Sequence, residues 1–147
     1  MRLAIACDHA GLDLKRTILA ALPGEAWQDL GTFTGDAVDY PDLAVAVAEA
    51  IRRGEADLGV LVCGTGAGMA MAANKVPGIR AAVAHDTFTA RLSREHNAAN
   101  VLALGARVIG SGLALDIVQT WLAAAPQAGR HGRRVAKLSA IEERYRH

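Results

Sequence analysis

The residues best suited to chemistry form one short run, Cys63-Gly64-Thr65-Gly66-Ala67-Gly68. A thiol heads it, a hydroxyl follows, and three alternate glycines allow a ligand to come close to the backbone. The run opens a predicted helix, whose free N–H groups and dipole favour an anion. The same field favours Cys63 as a thiolate, the form that acts as base or nucleophile. A tight turn around an inert buried cysteine is the competing reading, since free cysteine often serves as a small hydrophobe. A dinucleotide fingerprint fails, because Met69 stands at its sixth position after Gly64-x-Gly66. Met69 also stands where a thiol phosphatase would carry its Arg. There is no GxxxxGK[ST] loop, GxSxG elbow, HExxH or Cys/His cluster of ligand spacing, so no metal or cofactor is implied.

Two further clusters carry charge. No acid lies between Asp116 and Glu142, while Arg130, Arg133, Arg134 and Lys137 fall in that window. If helical, Arg130 and Arg134 share a face and suit a phosphate, although a solvated basic face is the simpler alternative. In Ser93-Arg94-Glu95-His96-Asn97, His96 sits near a predicted helix C-terminus. Such a position stabilises imidazolium and suits a proton donor, with an ordinary surface histidine as the alternative.

Elements that could position these groups follow from apolar periodicity. Strands are predicted at Arg2–Ala6, Ala26–Leu30, Leu58–Val62, Ala81–Ala84 and Val101–Leu104. Helices are predicted over Leu12–Leu22, from an Asp42 cap to about Arg53, from the glycine loop through Asn74, over Thr87–His96 and over Gly112–Ala124. Pro126–Gly132 reads as a loop before a last helix to about Tyr145. The alternation predicts an α/β fold: one doubly wound, Rossmann-like domain over 1–147, a three-layer sandwich with a five-stranded parallel sheet and a C-terminal helix. Ligands bind such sheets beyond the carboxyl ends of the strands. Cys7-Asp8-His9, Cys63-Gly64-Thr65-Gly66, His85-Asp86 and Gly105-Ala106-Arg107 all fall on that rim.

Composition narrows the function. The net charge of +1 and 4% aromatic residues argue against a nucleic-acid binder. No apolar stretch is long enough to span a membrane, and Asp8 interrupts the N-terminus too early for a signal peptide. A cytoplasmic protein with free thiols is expected. Together the rim offers a base (Cys63), a hydroxyl and amide donors (Thr65, Gly64–Gly68), acid/base groups (Asp8, His96) and a phosphate clamp (Arg130, Arg134). Proton abstraction beside a carbonyl needs these parts. They predict a metal-independent isomerase of a small phosphorylated sugar. A non-catalytic phosphosugar-binding module is the second reading.

Ordered motifs over nearly the whole chain sharpen this. They are Cys7-Asp8-His9-Ala10-Gly11, Asp39-Tyr40-Pro41, the glycine loop, Ala73-Asn74-Lys75-Val76-Pro77-Gly78-Ile79-Arg80, His96-Asn97-Ala98-Ala99-Asn100-Val101, Gly105-Ala106-Arg107 and Gly129-Arg130-His131. With them the chain resembles the ribose-5-phosphate isomerase B family, which also includes galactose-6-phosphate isomerase subunits. The resemblance implies that Cys63 moves a proton between C1 and C2 of the open-chain sugar, assisted by Thr65. It implies enediolate binding by the Gly64, Gly66 and Gly68 region with Asn97, and ring opening by Asp8 and His96. His9, Arg107, Arg130 and Arg134 would bind phosphate, and Tyr40 would line the sugar pocket. It further implies a homodimer or tetramer whose sites lie between subunits, so that the Arg residues come from the partner chain. In galactose-6-phosphate isomerases these positions are divided between two different subunits. This chain carries them all, which favours a self-sufficient homo-oligomer of the ribose-5-phosphate type; the same chemistry on a tetrulose, allose or galactose phosphate is the alternative, decided by pocket width. Cys7 is expected to be structural.

Overall fold

The computed structural model describes residues 1–146; the last residue of the domain read from the sequence, His147, lies outside them. Five strands, β1 (Arg2–Cys7), β2 (Ala26–Asp29), β3 (Leu58–Cys63), β4 (Ala81–Val83) and β5 (Val101–Gly105), form one sheet in the order β2-β1-β3-β5-β4. Every pairing is parallel. Central β3 is buried along all six residues, as a strand covered on both faces must be. The sheet order reverses between β1 and β3, and a crevice opens at such a switch point.

Helices α1 (Leu12–Ala21), α4 (Thr87–Asn97) and α5 (Ser111–Ala123) cover one face. Helices α2 (Tyr40–Arg52) and α3 (Ala67–Ala73) cover the other. Alternate residues of a strand point to opposite faces. Leu3, Ile5 and Cys7 of β1 therefore enter the first layer, with Ile18, Ile117 and Trp121. Ala4 and Ala6 enter the second, with Val47, Leu61 and Met69. The two cysteines part company here: Cys7 packs under α1, and Cys63 under α3.

The last helix, α6 (Arg130–Arg144), stands outside the sandwich and packs on α4. It buries a single side chain, His131. Several predicted boundaries shift by one residue, and two move further. Helix α2 starts at Tyr40 with Asp39 at its N-cap, not at an Asp42 cap. Pro41 lies in the first turn, where a missing N–H costs nothing. Helix α6 begins at Arg130, inside the predicted loop, because Gly129 turns the chain with φ of 68°.

Candidate active site

The carboxyl ends of β1, β3 and β5 gather the first group of predicted residues. Cys63 closes β3, is 5% exposed, and sits in register with Gly105 of β5. The Gly66 N–H donates to Cys63 Sγ at 3.1 Å. Gly66 reaches it with φ of 80°, a conformation glycine adopts without strain. The segment after β5 ties the loop down. Ala106 N–H donates to the Cys63 carbonyl at 2.8 Å, and Arg107 N–H to the Gly64 carbonyl at 3.0 Å. His85 Nε2 accepts from the Gly105 N–H at 3.0 Å and buttresses the same corner.

Contacts are close enough to name the neighbours. A methyl group on Gly64 would lie 3.3 Å from Arg107 Nη1, so that guanidinium covers Gly64. A methyl group on Gly68 would meet the Tyr40 ring at 2.8 Å. Thr65 is exposed, and its Oγ1 accepts from Ala67 N–H at 3.3 Å. Asp8 is 7% exposed on the adjoining strand end, where its N–H donates to the Val62 carbonyl at 3.1 Å. Its Oδ1 accepts from Ala10 N–H at 2.9 Å and Gly11 N–H at 3.2 Å, leaving Oδ2 out of both bonds. His9 beside it is exposed. Asp86, the other rim carboxylate, serves α4 as its cap. Hydrogen bonds from Thr89 hold its carboxyl below the usual range.

The second group assembles elsewhere. A groove of about 420 Å³ between α4 and α6 is lined by His96, Asn97, His131 and Arg134, with Leu92, Val135 and Leu138. The His96 and His131 rings stack with centroids 3.9 Å apart and planes 6° from parallel. Arg130 Nε donates to His131 Nε2 at 3.4 Å. Burial, then the neighbouring His96, Arg130 and Arg134, push the His131 pKa below its ordinary 6.5.

Within one chain the two groups do not form the single rim the sequence suggests. Helix α4 runs against the strands, so its C-terminus returns to the edge where β5 begins. Just beyond Asn97, the Asn100 carbonyl accepts from Gly59 at the start of β3, and Asn100 N–H donates to the Arg80 carbonyl before β4. Cys63 pairs at the opposite end of β5, roughly 13 Å along the strand at about 3.3 Å per residue. His96, Asn97, Arg130 and Arg134 thus form one half-site. Asp8, His9, Tyr40, Cys63, Thr65, Gly64, Gly66, Gly68 and Arg107 form the other.

Two residues of consequence receive no role from the motifs, although His131 stands in Gly129-Arg130-His131. His131 lies within the basic run, yet its spacing to Val135 and Leu138 marks the α4-facing stripe of α6. Lys15 is 1% exposed, pairs with Asp29 Oδ1 at 2.7 Å and donates to the Thr32 carbonyl at 2.5 Å. It anchors the segment leading from β2 toward Tyr40. Only its place on the buried face of α1 hinted at this.

The sequence model of the family described as Ribose/Galactose Isomerase matches residues 3–138. The chain belongs to the ribose/galactose isomerase family. It is an isomerase of the same fold as ribose-5-phosphate isomerase B from Clostridium thermocellum, with a TM-score of 0.97 and 54% identity over 99% of this chain and 100% of that one. It is 48% identical to ribose-5-phosphate isomerase B of Escherichia coli, across 97% of each chain. It is also 44% identical to D-erythrulose-4-phosphate isomerase of Pectobacterium atrosepticum, over 100% of this chain and 99% of that one.

Proposed function

We propose that this isomerase interconverts ribose 5-phosphate and ribulose 5-phosphate through a 1,2-enediolate, with Cys63 as the base. The observation that carries the reading is the amide-lined thiol: Cys63 Sγ beside Gly66 N–H, on a loop that opens α3. Cys63 takes the proton from C2 of the open-chain aldose and returns it to C1 of the ketose. Thr65 assists, and amides of Gly64 to Gly68 with Asn97 receive the enediolate oxygens, where donors placed for developing charge contribute most. Asp8 and His96 open the sugar ring. His9, Arg107, Arg130 and Arg134 hold the phosphate, with Arg suited to paired contacts, and Tyr40 lines the sugar pocket.

The two half-sites lie toward opposite ends of the strands, which supports completion by a second copy. The enzyme is then a homodimer or a tetramer of such dimers, with Cys63 and Asp8 from one chain and His96, Asn97, Arg130 and Arg134 from the other. Complete halves in one sequence suit identical subunits. Two free buried thiols, and described residues with no helix long and apolar enough to cross a membrane, suit a cytoplasmic enzyme of pentose phosphate metabolism. Turnover of four-, five- and six-carbon sugar phosphates by the purified protein tests the substrate. Highest kcat/KM on ribose 5-phosphate is expected. A preference for a tetrulose or hexose phosphate would overturn the substrate and keep the class. Binding without turnover of any of them would point to a phosphosugar-binding module.

A further inference from the structure

Helix α6 buries one side chain, and it is an imidazole, not the Leu or Phe that anchoring alone would favour. That ring, His131, is 8% exposed and lies flat on His96, with centroids 3.9 Å apart. Its Nε2 accepts from Arg130 Nε at 3.4 Å. One residue thus touches both a group assigned to ring opening and a group assigned to phosphate. We propose that His131 is a positioning residue: its ring fixes the plane of His96, and its unprotonated Nε2 orients the Arg130 guanidinium. The proposal rests on the roles given above to His96 and Arg130.

The acceptor role requires a neutral His131 with its proton on Nδ1, because a protonated Nε2 cannot accept. The surroundings favour that state. The ring is buried, and it faces His96 from α4 and Arg130 and Arg134 from α6. Among the described residues Glu95 of α4 is the acid acting on it, and Arg91 pairs with that carboxylate at 3.3 Å. As pH falls and His131 gains a proton, it loses its bond to Arg130 and repels both Arg130 and His96. Acid therefore loosens the phosphate ligand and the ring-opening group together.

Two variants separate the functions. His131→Phe keeps a flat ring and removes the acceptor, so KM for ribose 5-phosphate should rise roughly three- to tenfold with kcat within about twofold. His131→Ala removes the stack as well, so kcat should also fall roughly tenfold or more. Between pH 5 and 7 the wild-type KM should climb toward acid more steeply than that of His131→Phe. Comparing the two cancels the titration of the substrate phosphate. A readout independent of turnover is the carbon-bound imidazole proton spectrum. His96 should move downfield in His131→Ala, as the ring current of its stacked neighbour is lost, and stay near its wild-type position in His131→Phe. Folded His131→Phe with wild-type KM and pH profile would overturn the Arg130 role. An unmoved His96 resonance in His131→Ala would overturn the stack. If the wild type fails to turn over ribose 5-phosphate, the parent reading falls, and the resonance still decides the stack.

Discussion

A single methyl group at Gly105 should disable the enzyme without touching a reacting group. An added Cβ would lie 2.8–2.9 Å from the Cα, carbonyl carbon and oxygen of Thr65. Ordinary contact begins at 3.4 Å, so the Thr65 backbone must retreat by about 0.6 Å, the difference between 3.4 and 2.8. Backbone cannot rotate away as a side chain can. The displacement passes directly to Gly66, whose N–H points at Cys63 Sγ from 3.1 Å. Misplacement by about 1 Å costs around a hundredfold in rate, so Gly105→Ala should lose roughly ten- to a hundredfold in kcat, with a smaller change in KM. Overpacking should also cost about 1–3 kcal/mol of stability, seen as a lower Tm. Gly112→Ala is the control, since a methyl there meets nothing within 4 Å. Its activity should equal wild type. Coupled spectrophotometric assay of ribose 5-phosphate turnover, beside thermal melts, reads both effects. A folded Gly105→Ala with kcat within twofold of wild type would refute the reasoning.

Mixed dimers test the shared site. Cys63→Ala and Arg134→Ala should each be nearly inactive, and subunit exchange between them should restore about a quarter of wild-type activity, from half the dimers carrying one intact site. No recovery after demonstrated exchange would place both residues in one chain's site. Lys15→Met keeps the volume of the side chain but strands the Asp29 carboxylate and Thr32 carbonyl. It should cost about 3 kcal/mol, a Tm drop of roughly 5–10 °C, and an unchanged Tm would show the ion pair to be dispensable. His131 should leave a mark on acid stability. Its folded-state pKa lies below 6.5, so the unfolded chain binds the proton first as pH falls. The stabilisation is present above about 6.5 and declines below it. Comparing unfolding midpoints of wild type and His131→Phe between pH 7 and 5 should show the steeper loss in wild type, and parallel curves would contradict this.

Much of the arrangement is legible in the chain because short apolar runs and longer helical ones alternate from β1 to α5, with only α6 following another α-helix. Leu58–Cys63 reads as a buried strand from its unbroken apolar run, and the rim at Asp8, Cys63 and Arg107 follows from where the strands end. Sheet order does not follow. Nothing local places β5 between β3 and β4, since register across a parallel sheet is decided by packing between distant segments. The separation of His96 and Arg134 from Cys63 needs that order together with the direction of α4. The stack of His96 on His131 joins residues on two helices, beyond the reach of periodicity within either one.

The central claim is that Cys63 carries the proton between C2 and C1. Its most direct test is Cys63→Ala with ribose 5-phosphate in deuterated water, followed by proton spectroscopy of the sugar. Wild type should form ribulose 5-phosphate and place solvent deuterium in the substrate–product pool. Cys63→Ala should still bind the sugar phosphate, yet lose at least about a hundredfold in both isomerisation and exchange. Wild-type turnover by folded Cys63→Ala would contradict the account.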